Sequence, residues 1–386
     1  MSWSLKLLTV RGIPVRVHAS FLLVVLWAAY VGFTERGALA GAAGVGWLHG
    51  AAFMVIFVVL LFGCVVLHEL GHSMVAQLFG VQVQDITLWP IGGMARMSKL
   101  PERPYQEFLI SAAGPAVNVM LALALGALAL AWIGPNALLR TLLTPRLLTR
   151  AMAVMDGQSL LLLLTFNNAS LVLFNLIPAF PMDGGRLLRS FLAVFMPFAQ
   201  ATRVASMLGQ SLAVVMIVAG LVSPGAYLLV LIGLFVFLSA WQERQQTLTY
   251  ASLTGVRVRQ ATQPIGPQLY ALETAGEAIR RVGIAPQMAY LVTDGGRLVG
   301  MLSRRDLLGA VRRGGPGARI SQYMRRDVVQ FGPDDPLTLA AERLAQRQAS
   351  AGVVVENGQV IGAISRLDIA RLAEVLEAFP AAATRE

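Results

Sequence analysis

The stretch VVLHELGHSMVAQLF, residues 65–79, combines the apolar composition of a membrane-spanning helix with three ionisable side chains, His68, Glu69 and His72. An ionisable group in hydrocarbon is costly, so such groups are usually functional and paired with a partner. Side chains four residues apart lie on one face of a helix, about 6 Å apart along its axis, where two imidazoles can bind one metal ion. Two questions follow: whether this segment lies in a membrane, and what its polar groups do.

The composition of the chain answers the first question. Of its 386 residues, 56% are hydrophobic and only 13% are charged, whereas a soluble protein carries roughly 25% charged residues. The net charge of +10 comes largely from arginines scattered beside apolar segments. This distribution favours anchoring at an anionic lipid bilayer over binding of nucleic acid. The sequence therefore predicts an integral membrane protein with a smaller soluble part and no nucleic-acid partner.

Six apolar segments of the sequence are long enough to span a bilayer, which takes about 20 residues. An even number of spans places both termini on one side of the membrane, and basic residues are more frequent at that end, which predicts cytoplasmic termini. The last two spans are separated only by Ser223-Pro224-Gly225, a turn signal that predicts an antiparallel hairpin. The six predicted spans lie near residues 16–33, 51–79, 108–133, 159–181, 204–222 and 225–241.

The composition changes after Trp241, and the remaining segment contains an internal repeat. The stretch AYLVTDGGRLVGMLSRRDLLGA (289–310) aligns without gaps onto AGVVVENGQVIGAISRLDIARL (351–372). Each copy predicts a strand, a glycine-containing turn, a second strand and a helix, and a helical stretch precedes each copy.

The predicted fold class is thus an α-helical polytopic membrane protein of six transmembrane helices with a C-terminal α/β soluble domain. The membrane domain is predicted over residues 1–243 and the soluble domain over 244–386. The soluble domain comprises two βαββα units, at about 250–312 and 318–375.

The spacing His-Glu-x-x-His is the pattern of zinc hydrolases, in which the metal lowers the pKa of a water molecule and the carboxylate removes its proton. The alternative is a chance pentapeptide on a core helix. The whole chain has only four histidines, and two of them have this spacing, which argues against chance. A catalytic zinc also needs a third protein ligand.

Asp183 is the candidate for the third ligand. It lies in NLIPAFPMDGGRLLRS (175–190), where Pro178 and Pro181 interrupt the fourth apolar segment. Membrane proteins build their sites with polar groups on such broken backbone. In the alternative interpretation, Asp183 only caps the helix that follows it.

These residues resemble the site-2 protease family of intramembrane zinc metalloproteases. The resemblance runs from about residue 60 to 190 and includes Gly114-Pro115-x-x-Asn118 and Asn175…Pro178…Asp183-Gly184. It implies one Zn²⁺ per chain held by His68, His72 and Asp183, with Glu69 as the general base. It also implies a prokaryotic cytoplasmic membrane and a substrate that is the transmembrane helix of a membrane-anchored regulatory protein. Many relatives have Leu-Asp-Gly at the aspartate, where this chain has Met-Asp-Gly.

The soluble repeat resembles a tandem pair of cystathionine-β-synthase-type (CBS) modules. In such pairs Ser/Thr-x-x-Asp at the start of the last helix often holds the ribose of an adenine nucleotide such as ATP. Ser303 with Asp306 and Ser365 with Asp368 match this pattern. In the alternative interpretation they are only helix caps. The resemblance also implies a homodimer formed through the pair.

Three further hypotheses concern the site and its surroundings. Asn118 and Asn175 are candidates to donate a hydrogen bond to the oxyanion or to position the substrate, or they are interhelical polar ties. The segment 81–99 alternates like a strand pair around a Pro-Ile-Gly-Gly turn and is a candidate edge for an unwound substrate, or an ordinary loop. The competing function is a transporter or channel regulated by the CBS pair, with an ion path lined by the intramembrane histidines and aspartate.

Overall fold

The chain forms two compact units, Met1–Arg244 and Gln245–Glu386. The assignment of these units to a membrane domain and a soluble domain stays a prediction. The structure is a computed structural model that describes residues 3–39, 47–90, 92–97, 103–135, 155–283 and 289–378.

The first unit is mainly helical. Five of its helices are long and apolar enough to cross a membrane, namely Leu48–Leu78, Pro104–Ile133, Gly157–Asn175, Phe198–Val222 and Tyr227–Ser252. The described helices of this unit are α1 (Phe21–Leu39), α2 (Trp47–Leu78), α3 (Pro104–Ile133), α4 (Gly157–Asn175), α5 (Asp183–Leu192), α6 (Phe198–Val222) and α7 (Tyr227–Ser252).

Six predicted spans therefore exceed by one the spanning helices found in the described residues. The apolar part of α1, Phe21–Thr34, is shorter than the others. The predicted first span, 16–33, included residues of a strand, because Ile13–His18 forms β2. Alternation of Ile13, Val15 and Val17 with Pro14 and Arg16 is the two-residue period of a strand and not a helical period.

The fourth span is also shorter than predicted. Helix α4 ends at Asn175, whereas the prediction extended to residue 181. Pro178 and Pro181 lack the backbone N–H that an α-helix interior requires, so the chain turns before it resumes as α5 at Asp183. The last two spanning helices are joined by a short turn, with Gly225 at a φ of +84°, as the Ser-Pro-Gly sequence predicted.

The packing of α1 against α2 depends on a close backbone approach. A Cβ atom added to Gly32 would lie 2.2 Å from the carbonyl oxygen of Gly50, so this contact requires glycine. Phe53, Met54 and Phe57 of α2 contribute to the buried cluster beside it. Helix α2 is thereby held along its N-terminal half, while its C-terminal half carries the histidines.

A four-stranded sheet lies against that C-terminal half. Its order is β1-β2-β3-β4, with β1–β2 and β3–β4 antiparallel and β2–β3 parallel. Ile13 of β2 and Ile86 of β3 are fully buried in one cluster with Leu70 of α2. The strands predicted within 81–99 are confirmed as β3 and β4. The bounds of the strands are β1 (Ser4–Val10), β2 (Ile13–His18), β3 (Val83–Trp89) and β4 (Gly92–Met97).

An ion pair ties the edge strand β4 to β3. Asp85 is buried, with 3% of its surface exposed. Arg96 donates a hydrogen bond from Nε to Asp85 Oδ1 at 2.7 Å and a second one from Nη2 to Oδ2. These hydrogen bonds raise the pKa of Arg96 above its ordinary value, so its guanidinium stays charged at physiological pH. The cross-strand contact fixes the place of β4 beside α2.

The second unit confirms the predicted repeat of two βαββα units. In the first, β5 and β6 are parallel and β6 and β7 antiparallel, and the second repeats this topology with β8, β9 and β10. The turns at Gly295-Gly296 and Asn357-Gly358 have positive φ at both residues, which these residue types adopt readily. The elements are α8 (Val258–Ala261), β5 (Leu269–Tyr270), α9 (Ala275–Val282), β6 (Ala289–Asp294), β7 (Arg297–Ser303), α10 (Arg304–Gly314), β8 (Gln330–Phe331), α11 (Leu337–Gln346), β9 (Ala351–Glu356), β10 (Gln359–Ser365) and α12 (Arg366–Ala378).

Candidate metal centre

Three side chains with metal-binding atoms converge between α2 and α5. The Nε2 atoms of His68 and His72 are 3.1 Å apart, and each lies 3.3 Å from Oδ2 of Asp183. Both histidines are buried, with 7% and 8% of their surfaces exposed. Within the described ranges this is the group of His, Cys, Asp and Glu side chains whose geometry suits a metal ion.

The local sequence explains why Asp183 reaches the histidines. Helix α5 begins at Asp183, directly after the backbone broken by the two prolines. Gly184 and Gly185 pack against that backbone: an added Cβ would lie 2.3 Å from the carbonyl oxygen of Ile177 in one case and 2.6 Å from the carbonyl carbon of Ala179 in the other. Side chains at these two positions would push the start of α5, and with it the carboxylate, away from α2.

The separations between the three donor atoms fit a zinc ion. Zinc binds imidazole nitrogen and carboxylate oxygen at about 2.0–2.2 Å in tetrahedral geometry, which corresponds to about 3.3–3.5 Å between two ligand atoms. The three observed separations, 3.1, 3.3 and 3.3 Å, agree with this value to within a few tenths of an ångström. The donor set of two imidazoles and one carboxylate is also the one found in several zinc hydrolases.

The hydrogen bonding of His72 supports the same conclusion. Its Nδ1 lies 2.7 Å from the carbonyl oxygen of Ile110. A carbonyl can only accept, so Nδ1 is the donor, and the lone pair of the neutral ring is on Nε2. That lone pair faces Oδ2 of Asp183, a buried carboxylate oxygen that has no hydrogen-bond donor among the described residues. Two lone pairs at this distance repel each other unless a proton or a metal ion lies between them, and the separations fit a metal ion.

Helix α3 forms the wall behind the two imidazoles. A Cβ atom added to Gly114 would lie 2.2 Å from Nε2 of His72 and 2.8 Å from Cε1 of His68. One turn earlier, the carbonyl of Ile110 holds the His72 ring. Gly114 was part of the sequence resemblance without an assigned role, and the contribution of Ile110 had no sequence signal because it comes from the backbone.

Glu69 is held at the edge of the sheet. Its Oε2 accepts a hydrogen bond from the backbone N–H of Ala95 in β4, at 3.3 Å. The strand comes close because residue 93 is glycine: a Cβ there would lie 2.9 Å from Cγ of Glu69 and 3.1 Å from Cγ1 of Val65. The carboxylate next to the histidine pair therefore lies between α2 and β4, so the segment 81–99 lies near the candidate site as the sequence predicted, whereas the individual contact with Ala95 had no sequence signal.

The two candidate asparagines differ in their surroundings. Asn118 lies one turn after Gly114 on α3 and is 1% exposed, and neither polar atom of its side chain has a hydrogen-bond partner among the described residues. Asn175 is the last residue of α4 and is half-buried. Asn118 thus shares the face of α3 that lines the histidines, whereas Asn175 stands where the chain leaves α4 toward Asp183.

The candidate nucleotide residues of the second unit form local caps. Ser303 Oγ lies 2.6 Å from Asp306 Oδ2 and accepts from the Asp306 N–H at 3.1 Å. Ser365 Oγ lies 2.5 Å from Asp368 Oδ2, which also accepts from the Ser365 N–H at 2.9 Å. Each serine therefore contacts its own aspartate at the start of a helix, and Ser365 with Asp368 makes both hydrogen bonds of a capping box. This geometry matches the structural alternative and leaves nucleotide binding as a prediction.

Comparisons with known proteins agree with this geometry. The profile of peptidase family M50 matches residues 56–219, and that of the CBS domain matches residues 271–313 and 320–374. A zinc metalloprotease of Methanocaldococcus jannaschii is 30% identical over 98% of this chain and 98% of its own length. Stage IV sporulation protein FB of Bacillus subtilis is 31% identical over 36% of this chain and 41% of its length.

Among solved structures, the site-2 protease from Methanocaldococcus jannaschii matches with 34% sequence identity and a TM-score of 0.39. The match covers 63% of this chain and 95% of that chain.

The substitution Gly114→Ala is predicted to disrupt the metal centre. Its Cβ would overlap the imidazole of His72, so we expect zinc content per chain to fall well below that of the wild type in elemental analysis. The matched control is Gly126→Ala on the same helix, where the nearest atom to the new Cβ is Thr165 Cγ2 at 3.6 Å. Equal zinc content in the two variants would contradict the role assigned to the α3 wall.

Proposed function

Because this chain belongs to peptidase family M50, the site-2 proteases, we propose that it hydrolyses a peptide bond within or near a transmembrane helix of a membrane-anchored regulatory protein. The observation that carries the proposal is the convergence of His68, His72 and Asp183 with atom separations suited to zinc. The chain is a zinc metalloendopeptidase of the site-2 type and a membrane protein.

His68, His72 and Asp183 are proposed to hold one zinc ion per chain. The bound zinc would supply a water molecule of lowered pKa and polarise the scissile carbonyl. Ile110 orients His72, because its carbonyl fixes which ring nitrogen carries the proton. Gly184 and Gly185 let the carboxylate of Asp183 approach from the other side. Two helices thus present the three donors with their orientation already set.

Glu69 is proposed to be the general base. Its carboxylate would take a proton from the attacking water and deliver it to the leaving nitrogen of the cleaved bond. The adjacent position of His68 places this carboxylate beside the metal ligands, and the N–H of Ala95 keeps it at the edge of β4. A carboxylate restrained by one backbone donor can still accept a proton on its other oxygen.

The free edge of β4 is proposed to bind the substrate in extended form. A transmembrane helix must unwind before its peptide bonds can react, and its backbone groups then need new partners. Ala95 gives its N–H to Glu69 and not to β3. Because antiparallel pairing alternates along a strand, the backbone groups of Gly93 and Ala95 both point away from β3. A substrate strand added there would lie next to Glu69.

Asn118 is the stronger candidate of the two asparagines for a hydrogen bond to the developing oxyanion. Its buried amide has no partner in the described part of the chain, which is costly unless a ligand or water uses it. Asn175 is proposed to contact the substrate near the turn that leads to Asp183. Both remain candidates for positioning and not for bond breaking.

The second unit is proposed to regulate the protease. We assign residues 1–243 to the protease domain and 244–386 to a tandem CBS pair on the cytoplasmic side, with both termini cytoplasmic in a prokaryotic cytoplasmic membrane. Ser303 with Asp306 and Ser365 with Asp368 are the candidate contacts for ATP or another adenine nucleotide, which would have to displace the present serine–aspartate contacts. A homodimer through this pair is part of the proposal.

The alternative of a CBS-regulated transporter or channel is not favoured. It accounts for polar groups within apolar helices but gives no reason for the convergence of two imidazoles and a carboxylate at zinc-binding separations. A relative that matches over nearly the full length of both chains is named a zinc metalloprotease.

The first prediction of the proposed function concerns the metal and the base together. We expect about one zinc per chain in the wild type, loss of zinc in Asp183→Ala, and retention of zinc in Glu69→Gln with cleavage reduced by roughly 10²- to 10⁴-fold. Elemental analysis and a cleavage assay on the same preparations measure both quantities. Absence of zinc from the wild type would contradict the metal site, and full activity of Glu69→Gln would contradict the base.

The second prediction concerns the N–H of Ala95. Ala95→Pro removes this donor, and losing a hydrogen bond to a charged group costs about 1.5–3 kcal/mol, so we expect cleavage to fall roughly 10- to 100-fold with zinc retained. Ala95→Ser keeps the N–H and serves as the control. Comparable activity of the two variants would exclude a role for this donor.

The third prediction concerns the nucleotide. If Asp368 holds a ribose, ATP should change the cleavage rate of the wild-type enzyme in detergent, and Asp368→Ala should abolish that response while basal cleavage persists. Asp334→Ala, which alters an exposed ion pair of the same unit, is the control. A wild-type rate indifferent to every adenine nucleotide would refute regulation by this ligand.

A further inference from the structure

Helix α5, which carries Asp183, also carries an almost completely buried guanidinium. Arg189 is 3% exposed. Its Nε donates to Glu107 Oε1 at 2.9 Å, its Nη2 donates to the same oxygen, and its Nη1 donates to Glu243 Oε1 at 2.6 Å. The guanidinium carbon lies 5.0 Å and 4.8 Å from the ring centroids of Phe180 and Phe198. From α5, Arg189 thus contacts the loop that precedes this helix, as well as α3, α7 and the start of α6.

Stability alone is a weak explanation for this cluster. Removing a guanidinium and a carboxylate from water is costly, and well-packed apolar side chains in place of a buried ion pair are often as stable or more so. The cluster holds two carboxylates for one guanidinium, and Oε2 of Glu107 has no partner in the described residues. What the cluster does provide is fixed geometry, since a guanidinium bound by two carboxylates has little freedom to move.

The partner helix α3 connects this cluster to the histidines. Glu107, which binds Arg189, lies one turn before Ile110, whose carbonyl holds His72, and residues three apart share a face of a helix. One stretch of α3 therefore contacts both helices that supply metal ligands: α2 through His72 and α5 through Arg189. The relative position of these ligands is set by a shared support.

From this geometry we infer that Arg189 is a positioning residue for the metal centre, which it serves by holding α5, and hence Asp183, in register with His68 and His72. The inference further assigns Glu243 as the adjustable arm of the cluster. It rests on the proposed function, because it takes the three side chains to be metal ligands.

Glu243 differs from Glu107 in two ways that suit an adjustable contact. Its side chain is 28% exposed, against 1% for Glu107, and it receives one hydrogen bond from Arg189 where Glu107 receives two. Glu243 also lies on α7, which continues as a helix to Ser252. A shift of α7 would therefore change the hydrogen bond between Glu243 and Arg189 while Arg189 stays bound to Glu107. Helix α5 would move with Arg189, and the position of Asp183 at its start would change.

The test uses Co²⁺ as the probe metal, because its visible spectrum reports ligand geometry, on the full chain in detergent. The double variant Glu107→Leu/Arg189→Met removes the buried ion pair as a whole. We expect it to unfold at the wild-type temperature in the metal-free state, to bind Co²⁺ about 10- to 100-fold more weakly, the usual effect of losing a support of a metal ligand, and to show an altered spectrum.

Glu243→Gln tests the adjustable arm with a side chain of the same size that still offers an oxygen to Arg189. We expect an altered Co²⁺ spectrum and a smaller loss of affinity than in the double variant. Arg203→Met, at an exposed arginine on α6, is the control and should match the wild type in both readouts.

Wild-type Co²⁺ affinity and spectrum in both test variants would show that Arg189 only ties helices together, and would overturn the inference. If the double variant does not fold, the spectrum of Glu243→Gln decides alone. Failure of the wild type itself to bind Co²⁺ or zinc would be a different result, because it would remove the proposed metal site and the inference with it.

Discussion

The close approach of α3 to the two histidines is the constraint on which the candidate metal centre depends. The imidazoles occupy space that any side chain at position 114 would fill, and the Ile110 carbonyl on the same helix fixes the protonated nitrogen of His72. With His72 oriented in this way, its lone pair must face Asp183. The arrangement is electrostatically satisfied when a proton or a metal ion lies between the donors, and the packing of α3 sets where the three donors meet.

Much of this architecture is encoded in local sequence patterns. The four-residue spacing of His68 and His72 placed both on one face of α2, and the interruption by prolines correctly marked where α4 gives way to the segment that carries Asp183. The repeat in the second unit was readable because its two copies align without gaps. The Gly-Gly and Asn-Gly pairs in it marked the turns, where the structure has positive φ. These features depend on residues near each other in the chain, for which period and turn chemistry are sufficient.

The contacts that sequence reasoning missed all join distant segments. The hold of Ile110 on His72 uses a backbone carbonyl, which has no residue signature. The N–H of Ala95 reaches Glu69 only because Gly93 lets β4 approach α2. Glu107, Arg189 and Glu243 read as separate charges near apolar segments until the fold brings them together. The first span was mispredicted for a local reason. A window of apolar residues does not distinguish the end of strand β2 from the start of helix α1.

The hydrogen bond between Ala95 and Glu69 would differ between the substrate-free and the substrate-bound enzyme. At 3.3 Å it is longer than a usual N–H···O bond, and a single N–H cannot fully serve two acceptors. An extended chain that pairs with this edge through Ala95 would compete with Glu69 for that proton donor. A peptide bound in this way would release the Glu69 carboxylate from the strand edge, so occupation of the edge and freeing of the proposed base would be the same event.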